Sequence, residues 1–182
     1  MHSFARPLLA ATLFTTLGLA CLAGCGGESA ETTAGGAPAA ATAGPSVILA
    51  SMPENAVGIE AAKPTLEAGQ SVALHGRIGG NRAPMTGESG VFLMMDLAAK
   101  ACPPDEGCPT PWDYCCIPAN AKAVSNATVQ LVDADGTPLT ADFAALGLEP
   151  LDEVVVVGTV GPRPDPKVLV IRATGVHRVA SR

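Results

Sequence analysis

The chain has 182 residues, 11 Lys and Arg against 17 Asp and Glu, 48% hydrophobic residues and only 3% aromatic ones. A net charge of -6 gives no basic footprint for nucleic-acid phosphates, so nucleic acid is not an expected partner. With 20 Gly and 16 Pro, long coiled coils and multi-span helical membrane proteins are excluded, and one loop-rich, mostly β domain is expected.

At the start, Arg6 precedes an uncharged apolar run from Leu8 to Ala23, the layout of an export signal. The run is short for a membrane span, which needs about 20 apolar residues. It ends in Leu22-Ala23-Gly24-Cys25, which resembles the lipobox of bacterial lipoproteins. That resemblance implies removal of residues 1–24 as a signal peptide and a diacylglyceryl thioether on Cys25, which becomes the first residue of the mature chain. The protein is then expected to be exported and anchored to a membrane by lipid without crossing it. In that family Asp after the lipidated Cys favours the inner membrane. Here Gly26 follows, so the periplasmic face of the outer membrane is expected where the cell has two membranes.

Only Arg6 among the charged residues leaves with the signal, so the acidity belongs to the exported part. Residues 26–46 are small, polar or helix-breaking and offer no side chain suited to a core. With Cys25 they read as a lipidated, flexible tether over 25–46 with a reach of about 25 Å. Residues 47–69 form an N-terminal extension, and 70–182 the folded domain.

From Ser71 the pattern alternates, with Val72, Leu74, Gly76 and Ile78 on one face and Ser71, Ala73, His75 and Arg77 on the other, which predicts a half-buried strand. Val91 to Leu97 predicts a second strand and Ala127 to Val132 a third, with turn chemistry at Asp135-Gly136. Thr140 is placed to cap a short helix through Asp142, Phe143 and Leu146 that Gly147 stops. Glu153 to Val160 and Lys167 to Thr174 are two β-branched strands joined by a Pro-rich turn. Three strands, a short helix and two strands, with Gly76 inside the first, resemble the five-stranded OB barrel over about residues 70–178. The last two strands are apolar on both faces, so their outer face needs a cover. The candidates are Val47-Ile48-Leu49 with Met52, the insertion at 100–125, or a partner protein.

That insertion, between the second and third strands, holds Cys102, Cys108, Cys115 and Cys116 together with the chain's Trp112 and Tyr114. Once Cys21 leaves with the signal and Cys25 takes lipid, these four cysteines remain, an even number that suits two disulfides in an exported protein. A Cys115 to Cys116 bridge would be a strained vicinal ring. The open pairings are therefore Cys102 to Cys115 with Cys108 to Cys116, or Cys102 to Cys116 with Cys108 to Cys115. Closing a loop of about 15 residues would contribute roughly 3 kcal/mol in the chain-entropy picture.

A disulfide staple is the first reading of this segment. The alternative is a Cu or Zn site on the same four thiolates, with Met94, Met95 or His75 close by. The spacing C-x5-C-x6-C-C lacks paired C-x2-C knuckles, and adjacent cysteines do not easily share one tetrahedral ion. A third reading is thiol-disulfide exchange at Cys115 and Cys116, against which stands the absence of a C-x-x-C and of Lys or Arg between Ala101 and Cys116. Trp112, Asp113 and Tyr114 could form a recognition patch.

The sequence contains no nucleophile elbow, no P-loop Lys-Ser/Thr and no dinucleotide fingerprint, and His75 and His177 have no nucleophile at motif spacing. Asp133 to Gly136 lacks the remaining ligands of a calcium loop and reads as a turn. The second strand offers a single aromatic, Phe92, so the single-strand ligands of many OB domains are not carried over. The leading expectation is a non-enzymatic envelope lipoprotein whose stapled domain binds another envelope component, without a cofactor. Metal handling on the cysteines is its alternative.

Overall fold

The computed structural model describes residues 40–103 and 107–179, so the export signal, Cys21, the lipobox with Cys25 and most of the tether lie outside the described residues. The chain enters through a two-residue strand β1 (Val57–Gly58) and a single helical turn α1 (Ile59–Ala62). The main strands are β2 (Ser71–Ile78), β4 (Val91–Met95), β5 (Asn126–Leu131), β6 (Glu153–Val160) and β7 (Val170–Arg178), with a short β3 (Met85–Thr86) before β4 and a helix α2 (Ala119–Ser125) before β5.

β2 pairs antiparallel with β6, β6 with β7, β4 with β5 and β4 with β2, while β5 and β7 run parallel. The circuit β2, β4, β5, β7, β6 and back to β2 is a closed five-stranded barrel in the OB order, as the strand pattern implied. Closure is made where Arg77 and Ile78 meet Met95 and Met94. It depends on Gly76, where a Cβ would lie 2.7 Å from the Met95 carbonyl oxygen. Gly158 serves the other crossing, at a break in the β6–β7 register, because a Cβ there would lie 2.2 Å from the Arg172 carbonyl oxygen.

The inward faces follow the alternation. Leu74, Ile78, Phe92, Met94, Val129, Leu131, Val154, Val156 and Ile171 are fully buried in one cluster. Each is worth roughly 1.5–3 kcal/mol of transfer free energy. Phe143 closes one end, its ring edge-on to Phe92 at 5.9 Å. On β7 it is Ile171 that points inward while Val170 is half-buried. The strand starts at Val170, not Lys167, because Asp165 holds residues 165–168 in a turn through its own carboxylate and carbonyl. It also runs past Gly175 to Arg178.

Gly175 explains the cover. A Cβ there would lie 2.8 Å from the Leu49 side chain, and Leu49 donates its N–H to Val176 O at 2.8 Å. Val47 and Leu49 thus strap the outer side of β7, whereas Met52 is half-exposed and takes no part. Docking begins within the stretch read as tether. Ala43 is buried, and Ala41 to Ala43 exchange backbone hydrogen bonds with Thr140.

The helix expected from Thr140 to Leu146 is a single hydrogen-bonded turn. Leu146 N–H bonds Asp142 O, Asp142 rather than Thr140 caps it by accepting from Ala145 N–H, and Gly147 ends it at a φ of 69°. Thr140 is instead occupied in its bridge to Thr42. No helix among the described residues is long and apolar enough to cross a membrane.

Candidate functional site

The insertion leaves β4 at Asp96, whose carboxylate accepts from the N–H groups of Glu60 and Ala98 and so terminates the strand. Four prolines between Pro103 and Pro111 deny the segment a ladder. A turn is built at Thr110. Its hydroxyl donates to Asp113 Oδ2 at 2.9 Å, and Cys115 N–H donates to Asp113 Oδ1 at 2.7 Å, around a 3-10 turn over Pro111–Asp113.

Tyr114 follows at a left-handed φ of 54°, which turns its ring onto Gly79. A Cβ on Gly79 would lie 2.7 Å from both the ring and the Trp112 carbonyl. Tyr114, Met95 and Ala99 form a second small core, to which Ala101 and Ile117 add partial cover. Gly80 N–H bonds Trp112 O, Trp112 Nε1 donates to Arg82 O, and Lys122 Nζ donates to Asp113 O. The insertion is therefore docked across the end of β2 and β4, away from the outer face of β6 and β7. Of Trp112, Asp113 and Tyr114, Tyr114 is fully buried, and Trp112, half-buried, is pinned through its indole N–H to Arg82 O.

This docking brings the four cysteines together. Cys102 Sγ lies 3.3 Å from Cys116 Sγ and 3.4 Å from Cys115 Sγ. Cys115 is also 3.7 Å from Cys108 and 3.8 Å from Cys116. A disulfide measures about 2.05 Å, so the arrangement is one of clustered thiols and not of formed bridges. Cys102 is buried, Cys108 half-buried, and Cys115 and Cys116 exposed. The Cys102 thiol is drawn down to about 7 by the Cys116 N–H and then the Cys116 thiol, against the opposing effect of its burial. The Cys115 thiol is pushed up, first by Cys102 and then by Cys108 and Asp113. The Thr110 hydroxyl holds the Asp113 carboxyl below the usual range.

Sulfurs of Cys102, Cys108 and Cys115 and a carboxylate oxygen of Asp113 all lie within 4.8 Å of one another. The other soft candidates are elsewhere. Met94 fills the barrel, Met95 packs with Tyr114, and His75 pairs with Glu153 at 2.9 Å. Asp133 accepts from the N–H groups of Asp135 and Thr137, the expected turn. The Thr-x-x-Asp spacing at 110–113, a hydroxyl three residues before a carboxylate, is the signal that could have drawn Asp113 into the site.

Lys63 is a second feature not visible in the sequence pattern. Its buried Nζ donates to Ala123 O, Asn126 O and Asn126 Oδ1 at 2.7–3.0 Å, tying α1 to the end of α2. Burial lowers its pKa to about 8, with repulsion from Arg163 adding and Asp165 opposing. Ser125, at the end of α2, donates to the Glu60 carboxylate.

Among known proteins, no family model, no curated protein and no solved structure matches the chain.

Proposed function

We propose that this chain is an exported, lipid-anchored envelope protein whose OB barrel carries a thiolate metal site in its insertion, a metal-handling rather than catalytic role. One observation carries the reading, the spacing of the sulfurs. Thiolates bonded at about 2.3 Å to one tetrahedral ion stand about 3.8 Å apart, and the Cys115 sulfur stands 3.4, 3.7 and 3.8 Å from those of Cys102, Cys108 and Cys116. The lipobox Leu22-Ala23-Gly24-Cys25 supports the address. A domain docked through backbone hydrogen bonds and one buried aromatic supports a pre-organised site.

The test is metal content and native mass of the protein purified from membranes without reductant. One bound Zn or Cu per chain with alkylatable thiols after chelation supports the reading. Metal-free protein with four blocked thiols overturns it. The address has its own test: Cys25→Ala should accumulate precursor and lose fatty-acid labelling, and efficient labelling of that variant would overturn the anchor.

The second reading is the staple, a disulfide-bridged domain that binds an envelope component. It is favoured by the disjoint contacts Cys102–Cys116 and Cys108–Cys115 at 3.3 and 3.7 Å, which pair the four sulfurs two by two.

A further inference from the structure

We propose that the site is a three-sulfur, one-oxygen centre for Zn(II), with Cys102, Cys108 and Cys115 as thiolates, one Asp113 carboxylate oxygen as fourth ligand, and Cys116 outside the ligand set. The assignment rests on the metal reading above and names its donors and its ion. Four donor atoms, one from each of these residues, lie within 4.8 Å of one another, a set that does not include Cys116.

Asp113 is already oriented for the task. Thr110 Oγ1 holds one of its oxygens and Cys115 N–H the other, at 2.9 and 2.7 Å. An ionised carboxylate has about four lone-pair sites, so each oxygen keeps one for a metal. Such outer hydrogen bonds fix ligand direction and tune basicity. Cys115 and Cys116 are consecutive, and two neighbouring side chains bend poorly onto one tetrahedral ion. Exchanging Cys116 for Asp113 removes that difficulty.

The donor set selects the ion. Cu(I) favours purely soft sulfur donors, and Mg(II) and Ca(II) require oxygen. Zn(II) is borderline and accepts thiolate and carboxylate together. On binding, each of the three sulfurs forms a bond to the ion and releases its thiol proton to solvent.

The experiment uses the full mature chain, reduced anaerobically in detergent, titrated with Zn(II) or Co(II) alone. Native mass gives stoichiometry, and sulfur-to-cobalt charge-transfer absorbance counts thiolates. The wild type should bind one ion. Cys116→Ser should bind one ion with undiminished charge-transfer intensity, while Cys102→Ser and the less buried Cys108→Ser should each lose one sulfur's share of it. Asp113→Asn should weaken affinity at least about ten-fold with the intensity retained.

A Cys116→Ser variant that loses one sulfur's share, or an Asp113→Asn variant with unchanged affinity, overturns the ligand set while leaving a metal site in place. Copper in place of zinc in the protein purified from membranes overturns the choice of ion. A wild type that binds no ion overturns both this assignment and the metal reading beneath it.

Discussion

The barrel and the insertion solve the problem of order by different means. The barrel buries Leu74, Ile78, Val129, Val154 and Val156 completely and joins β2 to β6 and β4 to β5 by continuous ladders. Its order comes from many equivalent contacts, none of them decisive. The insertion has a core of three buried residues, Met95, Ala99 and Tyr114, and prolines where a ladder would need N–H donors. It is held at a few points: a ring against Gly79, the Trp112 carbonyl on Gly80, and the Asp113 carboxylate inside its own turn. A region pinned at so few points responds sharply to what happens at each one. The sulfurs of the four cysteines lie in just such a region.

The largest expected effect is on the barrel side. Leu74→Ala removes a fully buried side chain from the main cluster and should cost about 2–5 kcal/mol of global stability in denaturant unfolding. The insertion should open no later than the barrel, because Gly79 and Met95, on which it is seated, belong to barrel strands or their immediate ends. If the insertion's amides kept their protection after the strands exchanged, the dependence would run the other way. Gly79→Ala attacks the opposite side of the comparison. A Cβ at 2.7 Å from the Trp112 carbonyl and the Tyr114 ring cannot be accommodated by a flexible side-chain tip alone. Local opening of residues 98–117 should become easier by about 1–3 kcal/mol, read as faster hydrogen exchange at Gly80, with the β6 and β7 amides little changed. Equal loss of protection in β6 and β7 would show that the two regions fold as one unit.

The contrast also decides what could be read from the sequence. Glu153–Val160 and Ser71–Ile78 were legible to the residue, the first as a β-branched run apolar on both faces, the second because alternation writes its burial face and a wrong register would expose it. The start of β7 was not, since Val168 and Leu169 continue the apolar run and only the Asp165 turn removes residues 167–169 from the strand. Its end was missed because Gly175 reads as a breaker, and its purpose, room for Leu49, is a contact from 126 positions earlier in the chain. In the insertion the cysteines were legible as a group. Neither their spacing nor the place of Asp113 among them was, because both depend on Tyr114 adopting a left-handed backbone to reach Gly79.

Lys63 sits at the junction of the two regions, where α1 meets the helix that leads out of the insertion, and it offers a pH test. Its pKa is near 8 in the fold against 10.5 when exposed. Between those values the unfolded chain holds a proton that the folded chain has released, so stability rises with pH across this window. Below pH 8 both states are protonated and the cost of the buried ammonium is fully present. The gain from pH 8 to about 10.5 should be of order 1–3 kcal/mol, and Lys63→Met should flatten that part of the profile. Parallel profiles for wild type and variant would mean that the three carbonyl and amide oxygens around Nζ keep the ammonium charged.

The smallest expected effect belongs to the Tyr114 hydroxyl. The ring is the plug of the insertion, yet its oxygen is buried with no hydrogen-bond partner among the described residues. Burial also pushes its pKa up, so the hydroxyl stays neutral at ordinary pH. A buried, unpaired hydroxyl costs about 1–3 kcal/mol of lost hydration. Tyr114→Phe removes that cost, keeps the ring against Gly79 and leaves the backbone at its φ of 54° unchanged in demand. Stability should therefore stay level or rise by up to about 1 kcal/mol, and the same holds for protection of the Gly80 amide. Tyr114→Ala should do the reverse, because it empties the small core shared with Met95 and Ala99 while the hydroxyl is lost in both variants. A clear loss of stability in Tyr114→Phe would place the Arg77 guanidinium, whose charge opposes the effect of burial on this hydroxyl, in a hydrogen bond to the oxygen. The insertion would then be held to β2 by a polar tie as well as by an apolar plug.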